Sequence, residues 1–113
     1  MGITHTVRYK FKSNLPGGRS TLFVSRRFLG LKETCVRPTR HGWENYIRSL
    51  TGGKDSSPEG LQKGMTHGFV VEFDSVEDRN YYVTQDPTYS AFVKSIENLV
   101  EKTIIVDFTD GEC

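Results

Sequence analysis

The stretch Met65-Thr66-His67-Gly68-Phe69-Val70-Val71-Glu72-Phe73, followed by Asp74-Ser75-Val76-Glu77-Asp78, decides the fold. His67, Phe69, Val71 and Phe73 fall on one side of an extended chain; Gly68, Val70 and Glu72 fall on the other. A period of two with one apolar side predicts a β-strand over 65–73. Ser75-Val76-Glu77-Asp78 has the form of a capping box with Asp in place of Glu, and predicts a short helix through Tyr82 and Val83.

Downstream, Asp86-Pro87 is a second helix start, with Asp86 as N-cap and proline in the first turn. Tyr89, Phe92, Val93, Ile96 and Val100 recur at three- and four-residue spacing, the stripe of an amphipathic helix. Thr103 to Phe108 reads as the last strand and Asp110 to Cys113 as a loose tail. Upstream, Ile3, His5, Val7, Tyr9 and Phe11 alternate with Thr4, Thr6, Arg8, Lys10 and Lys12, another strand with one apolar face. Asn14 to Gly18 breaks it. Ser20 is an N-cap for a helix carrying Leu22, Phe23, Phe28, Leu31 and Cys35, weakened by Gly30 and ended by Arg37-Pro38. Trp43 to Leu50 reads as a strand and Thr51 to Gly64 as a long polar loop.

The order is β-α-β-β-α-β with the second helix broken in two: an α+β, ferredoxin-like pattern with an antiparallel sheet. Helices cover only one face of such a sheet. The last strand nevertheless carries Ile105 on one face and Ile104, Val106 and Phe108 on the other. A partly apolar second face calls for a partner, and a second copy is the economical one.

A chain of 113 residues fits one domain over 1–113, and 35% apolar with 26% charged residues is a globular composition. No apolar run reaches the ~20 residues of a membrane span. The first residues lack a basic segment followed by an apolar one, so no signal peptide is expected. Two cysteines, Cys35 and Cys113, imply no disulfide framework and fit a reducing, cytoplasmic setting. Net charge is +1 but uneven: the first fifty residues hold ten Lys and Arg against Glu33 and Glu44. No tight basic run forms, so complementary faces within the fold or between subunits explain the asymmetry better than nucleic acid does.

Three segments resemble the stress-responsive A/B barrel family: His5-Thr6-Val7-Arg8-Tyr9-Lys10-Phe11-Lys12, Thr66 to Glu77, and Val106-Asp107-Phe108-Thr109. Asp86-Pro87-Thr88-Tyr89 stands where members often carry His-Pro-x-His, and the block from Thr51 to Gly60 is similar to a loop of fungal members. The resemblance implies a dimeric α+β barrel, with two sheets facing each other and one pocket per subunit between sheet and helices. It also implies small-molecule ligands and no metal or organic cofactor, since members include a polyketide cyclase and a hydroxynitrile lyase. The cyclase type uses a Tyr on the broken helix, matched here by Tyr82, and the second His of His-Pro-x-His, replaced here by Tyr89. A tyrosine with a pKa near 10 does not substitute for a histidine near 7 as a general base.

His5 and His67 are therefore the candidate bases, both on the apolar side of their strands. If those strands are neighbours, two imidazoles line one pocket and either could move a proton at a carbonyl compound. Against this stands a structural role for each, bonded to backbone or to a carboxylate. Tyr82 and Tyr89 are candidate donors to a developing oxyanion, or else core. Asp107 shares a face with Ile105 and could orient a His or Tyr or pair with a base; Asp86 is foremost an N-cap. Val7, Tyr9, Phe69, Val71, Phe92 and Ile105 are the expected substrate-binding wall. No Cys-x-x-Cys or His-Glu-x-x-His pattern occurs, so no metal site is expected, and neither a phosphate loop nor a Gly-x-Ser-x-Gly elbow is present; the absence of an organic cofactor is what the resemblance implies.

The leading expectation is a homodimer binding a small aromatic, polyketide-like or carbonyl compound, with cofactor-free cyclase, lyase or isomerase chemistry. A non-catalytic, ligand-binding or stress-responsive dimer is the alternative. An RNA-recognition domain shares the element order, but His67-Gly68-Phe69-Val70-Val71 lacks its basic first residue and its second aromatic, so no nucleic acid is expected.

Overall fold

The computed structural model describes residues 2–13, 15 and 20–113. The expected break at Asn14 to Gly18 lies, except for Leu15, outside the described residues. Strand β1 spans Ile3–Phe11, β2 Val36–Thr39, β3 Gly42–Asn45, β4 Ile47–Lys54, β5 His67–Phe73 and β6 Val100–Phe108. The helices are α1 Thr21–Leu29, α2 Leu31–Thr34, α3 Val76–Thr84 and α4 Pro87–Ile96. The main sheet has the antiparallel order β4-β5-β1-β6, and β2 and β3 form a separate hairpin. This is the ferredoxin-like α+β fold anticipated from the alternation of β1 and β5.

The three expected caps form. Ser20 accepts from the Phe23 amide, Ser75 from the Asp78 amide, and Asp86 from the amides of Thr88 and Tyr89. Each satisfies backbone donors that a helix start leaves unpaired. The helices pack on the face carrying His5, Val7, Tyr9, Phe69, Val71 and Phe73, all buried. Phe28 of α1 stacks on Phe69 at 4.2 Å between ring centres and meets Phe92 of α4 edge-on at 5.4 Å, which ties both helices to the centre of the sheet.

Four expectations need correction. Leu22 and Phe23 are exposed rather than core, because the buried stripe of α1 runs through Val24, Ser25 and Phe28. The strand expected from Trp43 divides: residues 42–45 pair with Val36–Thr39, and Arg37 bridges Glu44 of that hairpin to Asp78 of α3. The loop expected from Thr51 begins only after Lys54, because Gly52 and Gly53 continue the ladder opposite Phe69 and Gly68. Val100 opens β6 instead of closing the helical stripe. Glycines carry no apolar period, and the Val100 side chain fits either period, so pairing decides both cases.

Candidate functional site

Alternation along β1 turns His5, Val7 and Tyr9 toward the helices. The β1–β6 register sets Asp107 opposite His5, Ile105 opposite Val7 and Thr103 opposite Tyr9. Cross-strand partners share a face, so a carboxylate arrives beside an imidazole by register alone. His5 Nδ1 lies 2.6 Å from Asp107 Oδ1, and Arg79 of α3 donates from Nη1 to the other carboxylate oxygen at 2.7 Å. A carboxylate only accepts, so Nδ1 carries the ring hydrogen, and a neutral ring keeps its lone pair on Nε2. Asp107 thus does both things its strand position suggested, orienting a histidine and pairing with a cation.

His5 is 1% exposed. Its Nε2 and the Tyr82 hydroxyl are buried and have no hydrogen-bond partner among the described residues. The His5 and Tyr82 rings meet edge to face at 5.8 Å, and Tyr82 stacks on Tyr89 at 3.9 Å. Burial, and to a smaller degree neighbouring Tyr89, pushes the Tyr82 hydroxyl above the ordinary tyrosine range. Burial does the same to Tyr89, with the Asp107 charge the next cause. Both phenols are therefore protonated donors near neutral pH.

Beyond Tyr89 a cleft of about 260 Å³ runs between α4 and β6, walled by Tyr9, Tyr89, Val93, Ile96, Val100 and Ile105. Glu97, Glu101, Lys102 and Thr103 line it as well, so the cleft is mixed in character, and Asp107 stands two residues on from Ile105 outside it. Of the expected wall residues, Tyr9 and Ile105 line this cleft, together with the candidate donor Tyr89. Val7 is buried beside them. Phe69, Val71 and Phe92 lie in the closed core, because Phe28 of α1 fills the space over the sheet centre.

His5 and His67 do not share a pocket. Their strands are adjacent, but His5 pairs with Val71 and His67 with Tyr9, four rungs away. At a rise of about 3.4 Å per residue this separates them by about 14 Å along the strand. His67 Nδ1 lies 2.8 Å from Thr66 Oγ1, and its ring stands edge-on to Phe11 at 4.9 Å. Burial and then the Lys54 charge lower its pKa. Asp86, besides capping α4, accepts from the Tyr46 hydroxyl. Arg79 was not among the residues singled out in the sequence. The signal for it is positional: three residues before Tyr82 on a capped helix, it shares Tyr82's side. Among the described residues no three His, Cys, Asp or Glu side chains stand together as a metal site, and no helix is long and apolar enough to cross a membrane.

The chain belongs to the stress-responsive A/B barrel domain family, whose sequence profile matches residues 3–110. No functionally curated protein matches it in sequence. Solved structures of similar fold include a hydroxynitrile lyase from Passiflora edulis, 20% identical with a TM-score of 0.79, covering 99% of this chain and 95% of that one. A protein of Arabidopsis thaliana is 21% identical with a TM-score of 0.78, covering 98% and 97%. A dimeric ferredoxin-like protein of unknown function from Bacteroides fragilis is 23% identical with a TM-score of 0.64, covering 95% and 94%. At these identities the likeness is one of fold.

Proposed function

We propose that this member of the stress-responsive A/B barrel family is a cytoplasmic homodimer that binds a small aromatic, polyketide-like or carbonyl compound in the α4–β6 cleft. It acts there by cofactor-free acid–base chemistry. The observation that carries the reading is the His5–Asp107–Arg79 chain, which presents an unpartnered Nε2 lone pair beside an unpartnered Tyr82 hydroxyl. Asp107, held by Arg79, fixes the imidazole tautomer, and Nε2 takes a proton from the substrate. With a cyanohydrin, Nε2 removes the hydroxyl proton. The carbon–carbon bond to the nitrile breaks, its electron pair leaves as cyanide, and a carbonyl forms. Tyr82 donates to the oxygen that carries charge. Tyr89, half-buried over Tyr82, turns aside to admit the substrate from the cleft.

The dimer reading is supported by Ile104, Val106 and Phe108, which lie exposed on the sheet face that the helices leave open, and by the dimeric fold relative. Cys35 and Cys113 as free thiols accord with a reducing compartment.

The test uses mandelonitrile, followed by benzaldehyde release, and benzoylacetone, followed by exchange of its acidic carbon-bound hydrogen with solvent deuterium. Turnover lost in His5→Gln and reduced at least about tenfold in Tyr82→Phe, with the fold intact, is the expected result. Turnover unchanged in His5→Gln refutes the acid–base role. The near-complete closure of His5 favours one second reading, a non-catalytic binder. Saturable binding in the cleft without turnover of either probe would establish it.

A further inference from the structure

The hydroxyls of the five tyrosines fall into two groups. Tyr46 donates to Asp86 at 2.5 Å, and Tyr81 reaches the Val36 carbonyl at 3.5 Å. Tyr9, Tyr82 and Tyr89 donate to no acceptor among the described residues. Tyr82 stacks on Tyr89, and Tyr89 lines the α4–β6 cleft together with Tyr9. The acid–base reading gives Tyr82 the reacting oxygen and leaves the Tyr9 hydroxyl without a task.

Tyr9 is 4% exposed. A phenol that deep ordinarily finds an acceptor, because a buried donor left unpaired has given up water for nothing. Polar neighbours are at hand: Thr103 lies directly across from Tyr9 on β6, and Glu97 and Glu101 line the same cleft. Glu101 is paired with Lys10 instead, at 3.4 Å. The Tyr9 ring is held where it is. Phe11 lies 5.5 Å from it, Phe28 and Phe69 meet it edge to face at 6.1 Å, and the Tyr9 carbonyl accepts from both the amide and the hydroxyl of Thr66. Burial, and then the neighbouring Tyr89 phenol, pushes the Tyr9 hydroxyl up, so it keeps its proton at neutral pH. Tyr9 is thus a fixed donor at the cleft, on the same face of β1 as His5 and about 14 Å from it along the strand.

We propose that Tyr9 determines specificity in this cleft by donating to a second oxygen of the ligand, across an apolar body from the oxygen that Tyr82 serves. The ligand class is a carbonyl compound with a further carbonyl or ether oxygen at its far end. Val93, Ile96 and Ile105 supply apolar walls for the body between. A simple aryl ketone or aldehyde leaves the Tyr9 hydroxyl unpaired and forgoes that bond. The inference rests on the reading of the cleft as the ligand site, but not on proton transfer by His5.

The experiment measures, by titration calorimetry, the affinities of 1,4-diacetylbenzene and 4-isopropenylacetophenone. The second has the shape of the first, with one carbonyl oxygen replaced by a methylene group. The wild type, Tyr9→Phe and His5→Gln are compared, and each is melted alongside. The expected result is a wild-type preference for the diketone, with the ratio of the two affinities falling at least about fivefold in Tyr9→Phe, the effect of one hydrogen bond. His5→Gln keeps the wild-type ratio. Because the hydroxyl has no partner in the free protein, Tyr9→Phe melts at the wild-type temperature or above. An unchanged ratio in Tyr9→Phe overturns the proposal, as does an equal fall in His5→Gln, which would spread the preference over the whole site. A lower melting temperature in Tyr9→Phe also overturns it, by giving the hydroxyl a structural acceptor. Failure of both ketones to bind removes the cleft as the ligand site and the proposal with it. A Tyr9-dependent ratio in a protein that turns over neither mandelonitrile nor benzoylacetone sinks the acid–base reading alone and upholds the role of Tyr9.

Discussion

Replacing Asp107 by Asn keeps the side chain's shape and removes its charge, so it tests the arrangement around His5 directly. The carboxylate accepts from Arg79 on one oxygen and from His5 on the other. Asn has one accepting oxygen and one donating nitrogen. Arg79 has only donors, so the amide oxygen must face it, which turns the amide NH₂ toward His5 Nδ1. That nitrogen must then accept, and the ring hydrogen moves to Nε2. The substitution therefore reverses the histidine tautomer rather than simply deleting a bond. Hydrogen bonds to charged groups contribute about 1.5–3 kcal/mol each. Asp107 and Arg79 retain about a fifth of their exposure (22% and 23%) and both contacts survive in neutral form. A net loss of about 1–2 kcal/mol follows, which at an unfolding entropy of about 2.1 cal/mol/K per residue lowers the melting temperature by about 4–8 °C. Long-range ¹H–¹⁵N correlation spectra of the imidazole read the tautomer, and calorimetry reads the melting temperature. A wild-type His5 protonated on Nε2 would refute the reasoning. So would an Asn variant that keeps the Nδ1–H form and melts within about 1 °C of the parent.

Other consequences can be checked on the same protein. Gly52→Ala places a methyl group 2.4 Å from both the Gly68 carbonyl oxygen and Phe69 Cδ1 at φ +156°, and should cost about 2–4 kcal/mol in urea unfolding. His67 has its pKa lowered in the folded chain by burial and by Lys54. As pH falls below the unfolded value of about 6.5, the unfolded chain gains a proton that the folded chain resists, so stability declines toward acid. His67→Gln should flatten the melting temperature between pH 7 and about 5.5 relative to the parent. Cys35 is fully buried and its thiol is pushed up, chiefly by burial, whereas Cys113 is exposed. A thiol reagent should therefore titrate one cysteine in the native protein and two in denaturant.

Much of this molecule is legible in its sequence. The alternation of Ile3 to Phe11 and His67 to Phe73 is a property of neighbouring residues, and so are the caps at Ser20, Ser75 and Asp86. Each is set by spacing along the chain and appears in the structure where the spacing puts it. The candidate site was legible only in part. His5, Tyr82 and Tyr89 could be singled out by residue type and face, and Asp107 by its place beside Ile105, but nothing local joined them. Arg79 carried only its three-residue distance from Tyr82.

What the sequence determined by itself is which residues turn inward and where each helix begins, because those depend on backbone periods and on hydrogen bonds between near neighbours. Only the tertiary structure decided that His5 meets Asp107 while His67 stands four rungs away. It likewise decided that Phe28 closes the space over Phe69, and that Gly53 and Gly68 come side by side. Register and packing join residues far apart in the chain. The energy that selects one register comes from burying a whole face at once, which no short stretch of sequence contains.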